Sequence, residues 1–283
     1  MIIDFRVRPP YGSFRNLTIF NARLTSAERP AAWVGPLAES VTSRSLDMFL
    51  SELERAEVRH AVVWGRGVPD KKASTTLEDV ARLVELHPQK FSGFAGLPVP
   101  NQTTADGAVR EMERALIDFK LKGITLEPGF AMSETSGADD RALFPLYERC
   151  QELGGIVALT ISVRAGSDIR FSNPEAVDRV AGRFPKLRIV VGHSFWPWVA
   201  QACGVAYRRR NVYLLPDFYG VGCPGHLHWV EAANTLLSRQ ILFASAYPLA
   251  AVGPMADAYK KLPFRPEILP LVMERNAAEL LQL

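Results

Sequence analysis

Short apolar runs alternate with longer amphipathic segments along the whole chain, and this alternation predicts its secondary structure. The runs are rich in β-branched residues, as expected of strands buried on both faces. The segments between them repeat apolar residues at helical spacing, as residues 46, 49, 50 and 53 do. The predicted strands are Ile2–Val7, His60–Trp64, Phe91–Leu97, Gly123–Glu127, Gly155–Ile161, Leu187–Val191, Val212–Leu215 and Gln240–Ala244.

Eight such strands, each followed by a helical segment, predict a (β/α)8 TIM barrel of the α/β class. A doubly wound sheet would need a glycine-rich first turn, whereas the first strand here runs into Arg8-Pro9-Pro10. We therefore predict a single domain over residues 1–283, with an arm or lid insertion at about 10–42. That insertion is longer than an ordinary connection between two elements of a barrel.

Apolar residues in the arm predict contacts between subunits. Leu17, Ile19, Phe20 and Trp33 look exposed in the sequence pattern, and together they form more apolar surface than a monomer usually shows. Closed symmetric assemblies are the usual way to cover such a surface. We predict a homodimer or a homotetramer.

Composition excludes several classes of protein. Lys and Arg number 33 against 30 Asp and Glu, so no basic footprint for nucleic acid is present. No apolar run approaches the roughly 18–20 residues of a membrane span. Cys150, Cys203 and Cys223 lie far apart and lack the spacing of metal ligands. No signal-like segment precedes the first strand, and we expect a cytoplasmic protein.

The stretch from Arg183 to Trp198 is the centre of the functional argument. A buried strand ends there at Gly192, and His193 follows before a new helix begins near Pro197. α/β barrels place their chemistry at the carboxyl ends of their strands. His193 is therefore either a catalytic group or a histidine hydrogen-bonded in the core.

Four segments together resemble the amidohydrolase superfamily, in its decarboxylase-like, amidohydrolase-related branch. The stretch around Gly192-His193 and Trp196-Pro197-Trp198 resembles the family's sixth strand. Ile3-Asp-Phe-Arg-Val-Arg8 lies where the family has Asp-x-His-x-His, and Phe243-Ala-Ser-Ala-Tyr-Pro248 lies where it has Phe-Gly-Thr-Asp-Tyr-Pro. Arg275–Leu281 matches the closing Gly-Asn-Ala-x-x-Leu-Leu helix.

The resemblance implies a divalent metal, usually zinc or manganese, and it implies hydrolysis, hydration or decarboxylation of small carboxylic acids. The family's ligands are two histidines on strand one, one each on strands five and six, and an aspartate on strand eight. The matching positions here are Arg6, Arg8, Ile161, His193 and Ala246. A protonated guanidinium has no lone pair to donate, so we expect no metal at the usual site.

Charged residues on the first strand point to a different kind of site. Strand alternation predicts that Asp4, Arg6 and Arg8 share the face turned into the barrel. Glu127 and Asp217 are the carboxylates placed to meet these arginines, either in a closed ion-pair network or with one arginine left for an anionic ligand. Because Glu127 comes from across the barrel and Asp4 lies deep, we expect the pairing to be incomplete.

These residues give a functional hypothesis: a metal-independent, lactonase-like hydrolase or a lyase that acts on a small carboxylated, anionic molecule. The expected catalytic residues are His193, Asp217 and Glu127, and the expected substrate-binding residues are Arg6, Arg8 and Tyr247. One alternative is a catalytically silent subunit. Another is an enzyme that keeps one zinc or manganese ion on Glu127, His193 and Asp217.

Overall fold

Parallel strands paired in chain order form the centre of the protein. The computed structural model describes residues 1–21, 35–68, 70, 73–99, 105–130, 137–166 and 168–283. Within these ranges seven strands make one sheet in the order β1 to β7, and every pairing is parallel. The strands are β1 Ile2–Val7, β2 Val58–Trp64, β3 Phe91–Gly96, β4 Gly123–Leu126, β5 Ile156–Thr160, β6 Arg188–Gly192 and β7 Val212–Leu215.

Helices connect the strands and pack on the outside of the sheet. Ser45 and Thr76 cap two of them, because their hydroxyl oxygens accept hydrogen bonds from the N–H groups of Met48 and Asp79. The helices are α1 Thr18–Asn21, α2 Glu39–Ser43, α3 Leu46–Arg55, α4 Leu77–Leu86, α5 Ala105–Glu113, α6 Phe144–Glu152, α7 Glu175–Arg183, α8 Val199–Arg208, α9 His226–Thr235, α10 Val252–Lys260 and α11 Asn276–Leu281.

The predicted eighth strand is wrong as a strand, although its segment closes the barrel. Residues 240–247 touch β7 through a parallel bridge at Ile241 and touch β1 through another at Tyr247. Two backbone N–H groups of the segment bond outside the sheet: that of Phe243 donates to the carbonyl of Val272, and that of Ser245 to the carboxylate of Asp4. These competing partners leave only isolated bridges. The TIM-barrel prediction is confirmed.

A bulge in β1 decides which of its side chains enter the barrel. The pairing of β1 with β2 shifts register between Asp4 and Val7. Ile3 and Phe5 pack in the barrel interior against residues of the other strands, whereas Val7, two residues after Phe5, packs in the outer core with the helices. The prediction that Asp4, Arg6 and Arg8 share one face is therefore wrong, since strict alternation fails at the bulge.

The arm is only partly described, and what is described changes the prediction about its surface. Leu17 and Phe20 are buried against the core, and Ile19 is half-buried. The expectation that Leu17 and Phe20 are exposed is wrong, because α1 folds back onto the barrel. Trp33 lies outside the described residues. The homodimer or homotetramer stays a prediction, and the described part of the arm exposes less apolar surface than that prediction assumed.

Among the described residues, no helix is both long enough and apolar enough to cross a bilayer.

Close backbone contact at the ends of β2 and β3 gives a prediction about stability. A methyl group at Gly96 would overlap the backbone of Arg66, which cannot move away cheaply. We expect Gly96→Ala to lower the free energy of unfolding by about 1–3 kcal/mol. Gly204 is exposed in α8 with open space around it, so Gly204→Ala should instead stabilise by roughly 0.5–1 kcal/mol. Urea unfolding of both variants checks this, and equal effects would contradict it.

Candidate active site

Three side chains meet at the carboxyl ends of β1, β6 and β7. Nη1 of Arg6 lies 2.9 Å from Oδ2 of Asp217 and 3.0 Å from Nε2 of His193. Nδ1 of His193 lies 2.9 Å from the same carboxylate oxygen. Arg6, His193 and Asp217 are all buried, with Asp217 fully enclosed. The first strand thus supplies a cation to a histidine–aspartate pair that follows β6 and β7.

Unusual backbone conformations aim these side chains. His193, Ser194 and Phe195 follow β6 with φ values of 65°, 44° and 61°, and Asp217 follows β7 with φ of 47°. Non-glycine residues adopt this left-handed region at an energetic penalty and do so most often at functional sites. The backbone N–H of His193 donates to Oδ2 of Asp217 at 3.2 Å. This hydrogen bond holds the two strand ends in the geometry that brings the imidazole to the carboxylate.

The surroundings fix the protonation state of His193. A carboxylate can only accept hydrogen bonds, so Nδ1 carries the proton toward Asp217, and Nε2 carries the lone pair. Nη1 of Arg6 lies 3.0 Å from Nε2 and 3.4 Å from Nδ1, which places it over the face of the ring. Burial lowers the pKa of His193, and the charge of Arg6 acts in the same direction, while Asp217 opposes both. The imidazole is therefore neutral near pH 7. A neutral imidazole oriented by a carboxylate is a competent general base.

A second cluster lies beside the first and joins β1, β2 and β4. The guanidinium of Arg8 makes an ion pair with Oε1 of Glu127. Nε of Arg66 donates to Oε2 of the same carboxylate at 2.9 Å. Burial alone would raise the pKa of Glu127, but the charges of Arg8 and Arg66 outweigh it and hold the pKa at about 2. Glu127 is thus a permanent anion and a poor proton acceptor, which argues against the predicted catalytic role.

Both arginines of the first strand are paired, so the expectation of incomplete pairing is wrong. The physical reason is that the two guanidiniums reach different carboxylates, Arg6 that of Asp217 after β7 and Arg8 that of Glu127 after β4. Donors nevertheless remain. Nη2 of Arg6 and Nη1 of Arg8 make no hydrogen bond with any described residue, although Arg8 also donates from Nε to the carbonyl of Trp64 at 3.4 Å.

Arg66 is the residue of this cluster that the sequence did not predict. It follows β2 in a loop without strand alternation, and its Nη1 also donates to the carbonyl of Ala73 at 2.9 Å. Arg66 could have been found from the glycines on either side of it, Gly65 and Gly67, which permit close approach to β3. A charged residue between such glycines at the carboxyl end of a barrel strand lies at the usual place of the active site.

Two sequence candidates lie elsewhere. Asp4 bonds to Oγ and N of Ser245 at 2.5 and 3.0 Å and pairs with neither arginine side chain. Burial raises its pKa to about 6, against the effect of these hydrogen bonds. The hydroxyl of Tyr247 lies 2.7 Å from Oγ of Ser40, and its ring packs on Phe49. Asp4 thus ties β1 to the closing segment, and Tyr247 anchors the arm rather than facing the arginines.

An aromatic wall borders His193 on the side of β7. Tyr219 stands edge-on to the imidazole, with ring centroids 5.4 Å apart, and stacks on Trp196 at 4.7 Å. Phe218 lies 5.1 Å from His193. The hydroxyl of Tyr219 makes no hydrogen bond with a described residue, and burial raises its pKa above the ordinary value. The Tyr219 hydroxyl is therefore a neutral hydrogen-bond donor next to His193. The sequence placed Tyr219 only as a residue after the seventh strand.

Comparison with known proteins now identifies the family. The model of the amidohydrolase family (Amidohydro_2) matches residues 3–283. The chain belongs to this amidohydrolase family. The resemblance seen in the sequence motifs is thereby confirmed.

The curated relatives of this amidohydrolase are lyases by name. This chain is 28% identical over 134 residues to a 2-amino-3-carboxymuconate-6-semialdehyde decarboxylase of Dictyostelium discoideum, and the match covers 43% of this chain and 35% of the relative. It is 25% identical over 169 residues to a 2-keto-4-carboxy-3-hexenedioate hydratase of a Sphingobium strain, covering 54% and 49%. The chain therefore aligns with half or less of either relative's length.

Solved structures agree on the fold. An uncharacterized TIM-barrel protein from Bordetella bronchiseptica superposes with a TM-score of 0.90 at 34% identity, covering 99% of this amidohydrolase and 98% of that chain. A 5-carboxyvanillate decarboxylase from Novosphingobium aromaticivorans, solved with manganese, superposes with a TM-score of 0.69 at 14% identity, covering 100% and 96%.

The residues of this amidohydrolase do not fit the divalent metal of such relatives. Arg6 and Arg8 offer no lone pair, and the guanidinium of Arg6 already contacts both His193 and Asp217. Glu127, the third ligand of the relocated site considered from sequence, is held by two arginines. Among the described residues no group of three or more His, Cys, Asp or Glu could hold a metal ion.

The role of Glu127 as an anchor can be tested by stability. Glu127→Gln keeps the shape but leaves Arg8 with a neutral partner, so we expect a loss of about 3–5 kcal/mol in unfolding free energy at pH 7. A depressed pKa contributes stability above pH 4.5 that is lost as the pH falls toward 2. The difference in unfolding free energy between the wild type and Glu127→Gln should therefore shrink as the pH falls below about 4.5.

The matched control is an exposed pair. Glu85 accepts a hydrogen bond from Arg82 on the surface of α4, and Glu85→Gln should change the unfolding free energy by no measurable amount at either pH. Urea unfolding from pH 7 to pH 3 gives both series. A deficit of Glu127→Gln that is small, or that grows as the pH falls, would contradict the anchoring role.

Proposed function

We propose that the protein is a metal-independent lyase that acts on a small carboxylated substrate, with His193 as its general base. The observation that carries the proposal is the neutral imidazole, oriented by Asp217 and placed beside the unused donors of Arg6 and Arg8. The decarboxylase and hydratase named among the relatives support a lyase over a lactonase-like hydrolase. Hydrolysis of a lactone would use the same base and is the alternative at this site.

The network itself provides a binding step. A substrate carboxylate accepts hydrogen bonds from Nη2 of Arg6 and Nη1 of Arg8, which form a bidentate recognition site for an anion. Nη1 of Arg6 lies over the face of the imidazole, so this contact leaves the lone pair of Nε2 available. The bound anion thus lies beside the base that acts on it.

His193 and Asp217 then transfer the proton. Nε2 of His193 takes a proton from water as the water oxygen adds to one carbon of a substrate carbon–carbon double bond, and Asp217 stabilises the imidazolium through Nδ1–H, with Nδ1 2.9 Å from Oδ2. The imidazolium then returns the proton to the neighbouring carbon, which has received the electron pair of the double bond, and this completes the addition. Tyr219 donates a hydrogen bond to the substrate from its place beside the imidazole. Glu127 keeps Arg8 in position and takes no part in proton transfer.

A second candidate function is a catalytically silent subunit, and one observation favours it. Arg6 and Arg8 each form an ion pair with a buried carboxylate, and their side chains are only 5% and 10% exposed. A network closed in this way stabilises a barrel without any substrate. The two functions differ in whether an anion can bind to the remaining donors of Arg6 and Arg8 while their ion pairs persist.

A substrate screen separates the two candidates. Carboxylated muconates, hydroxybenzoates and lactones are incubated with the purified protein, and turnover is followed by absorbance. We expect turnover of at least one carboxylate, and we expect His193→Asn to lower kcat by about 10²–10⁴-fold, because the general base is lost. His228 is exposed in α9, and His228→Asn should keep full activity. Unaltered turnover in His193→Asn would remove the proposed base, and no turnover at all would favour the silent subunit.

Metal independence is a separate prediction. The active protein should contain no stoichiometric zinc or manganese by elemental analysis, and dialysis against a chelator should leave kcat unchanged, because Arg6 holds His193 and Asp217 without an ion. Activity that disappears with the chelator and returns with manganese would instead establish the metal-dependent alternative.

A further inference from the structure

We infer that Tyr259 is a positioning residue of this site, which acts through Asp217 on His193. Its hydroxyl holds the backbone of Asp217 in the conformation that keeps the proton of the imidazole on Nδ1 and leaves the lone pair on Nε2. The catalytic consequence rests on the proposed function, whereas the orientation of the imidazole can be measured without turnover.

The contact that carries the inference comes from a helix outside the sheet. Tyr259 lies in α10, and its hydroxyl oxygen is 2.8 Å from the carbonyl oxygen of Asp217. Burial raises the pKa of Tyr259 well above its ordinary value, and the charge of Asp217 acts in the same direction. The phenol is therefore neutral and donates its proton to the carbonyl. Its ring packs edge-on against Phe243, with centroids 5.0 Å apart, so the closing segment also holds the donor in place.

The backbone of Asp217 needs such a restraint. Its φ of 47° lies in the left-handed region, which a non-glycine residue keeps only where its surroundings fix it. The direction of the carbonyl group determines ψ of Asp217, and with it the direction in which the side chain leaves the backbone. A hydrogen bond to this carbonyl therefore restrains the carboxylate as well.

Three donors depend on one oxygen of that carboxylate. Oδ2 of Asp217 lies 2.9 Å from Nη1 of Arg6, 2.9 Å from Nδ1 of His193 and 3.2 Å from the backbone nitrogen of His193. A small rotation of the side chain would lengthen all three contacts together. The Nδ1–H form of the imidazole would then lose its acceptor, and the Nε2–H form, which has no lone pair on Nε2, would become populated.

The chain leaves room for the phenol at Gly220, three residues after Asp217. A methyl group at Gly220 would overlap the hydroxyl oxygen of Tyr259 and would lie 2.8 Å from its Cζ. Tyr259 is fully buried and cannot swing out to avoid the overlap. The glycine thus permits the close approach on which the hydrogen bond to Asp217 depends.

The test compares two buried tyrosines that each donate to a backbone carbonyl. The hydroxyl of Tyr147 in α6 donates to the carbonyl of Ala138 at 2.7 Å, and Tyr147 is as deeply buried as Tyr259. Tyr259→Phe and Tyr147→Phe each remove one such hydrogen bond, so both should lower stability in urea to a similar extent. Only Tyr259→Phe should change His193.

The decisive measurement is the ring tautomer of His193 at pH 7, read from long-range proton–nitrogen NMR correlations and assigned with His193→Asn. We expect the wild type and Tyr147→Phe to hold the Nδ1–H form, and Tyr259→Phe to show a mixture of both tautomers. For a substrate that is turned over, Tyr259→Phe should lower kcat by about 10–100-fold, because the base is misaligned. Tyr147→Phe should keep the wild-type kcat.

The outcomes separate this inference from the proposed function. A tautomer shift confined to Tyr259→Phe supports the inference even without turnover, and a lack of turnover then counts against the proposed function alone. An unchanged tautomer in Tyr259→Phe, an equal shift in Tyr147→Phe, or a wild type without a predominant Nδ1–H form overturns the inference. If Tyr259→Phe does not fold, Gly220→Ala decides, because it displaces the hydroxyl and should give the same mixture. An unchanged tautomer in Gly220→Ala, or a failure of both variants to fold, overturns the inference.

Discussion

Burying two guanidinium groups in the mouth of a barrel is the constraint on which this site depends. An unpaired buried charge is far more unfavourable than a buried pair, so each arginine of β1 requires its own carboxylate. Arg6 meets Asp217 after β7, and Arg8 meets Glu127 after β4. The two ion pairs cross the barrel in different directions. Because the carboxylates must reach inward from distant strands, the strand ends that carry them are fixed relative to β1.

The same charges divide the acid–base roles among the residues. Glu127 lies between two guanidiniums and is held as an anion, whereas His193 is buried beside Arg6 and is held neutral. One carboxylate thus becomes an anchor, and one imidazole keeps a lone pair at neutral pH. Environment, rather than residue type, separates the two functions, as it does wherever paired titratable groups in one site are pushed to different pKa values.

The sequence predicted the parts of the molecule that depend on local pattern. The buried strands were found to within about two residues because their apolar runs have few alternatives. The segment 240–247 failed as a strand because Asp4 and the carbonyl of Val272 take two of its N–H groups. The shared face of Asp4 and Arg6 failed at a bulge that no periodicity reveals. The residues that form the ion pairs were predicted, but which carboxylate each arginine meets depends on how distant strand ends come together in space.

A closed ion-pair network and an active enzyme do not exclude each other at this site. In the proposed binding step a carboxylate uses the remaining donors of Arg6 and Arg8 while Asp217 and Glu127 keep their ion pairs, so no buried guanidinium loses its partner. A neutral molecule brings no charge to these donors and forms weaker hydrogen bonds with them. The proposed preference for carboxylates and the proposed base then depend on one carboxylate, because Asp217 pairs with Arg6 and also orients His193.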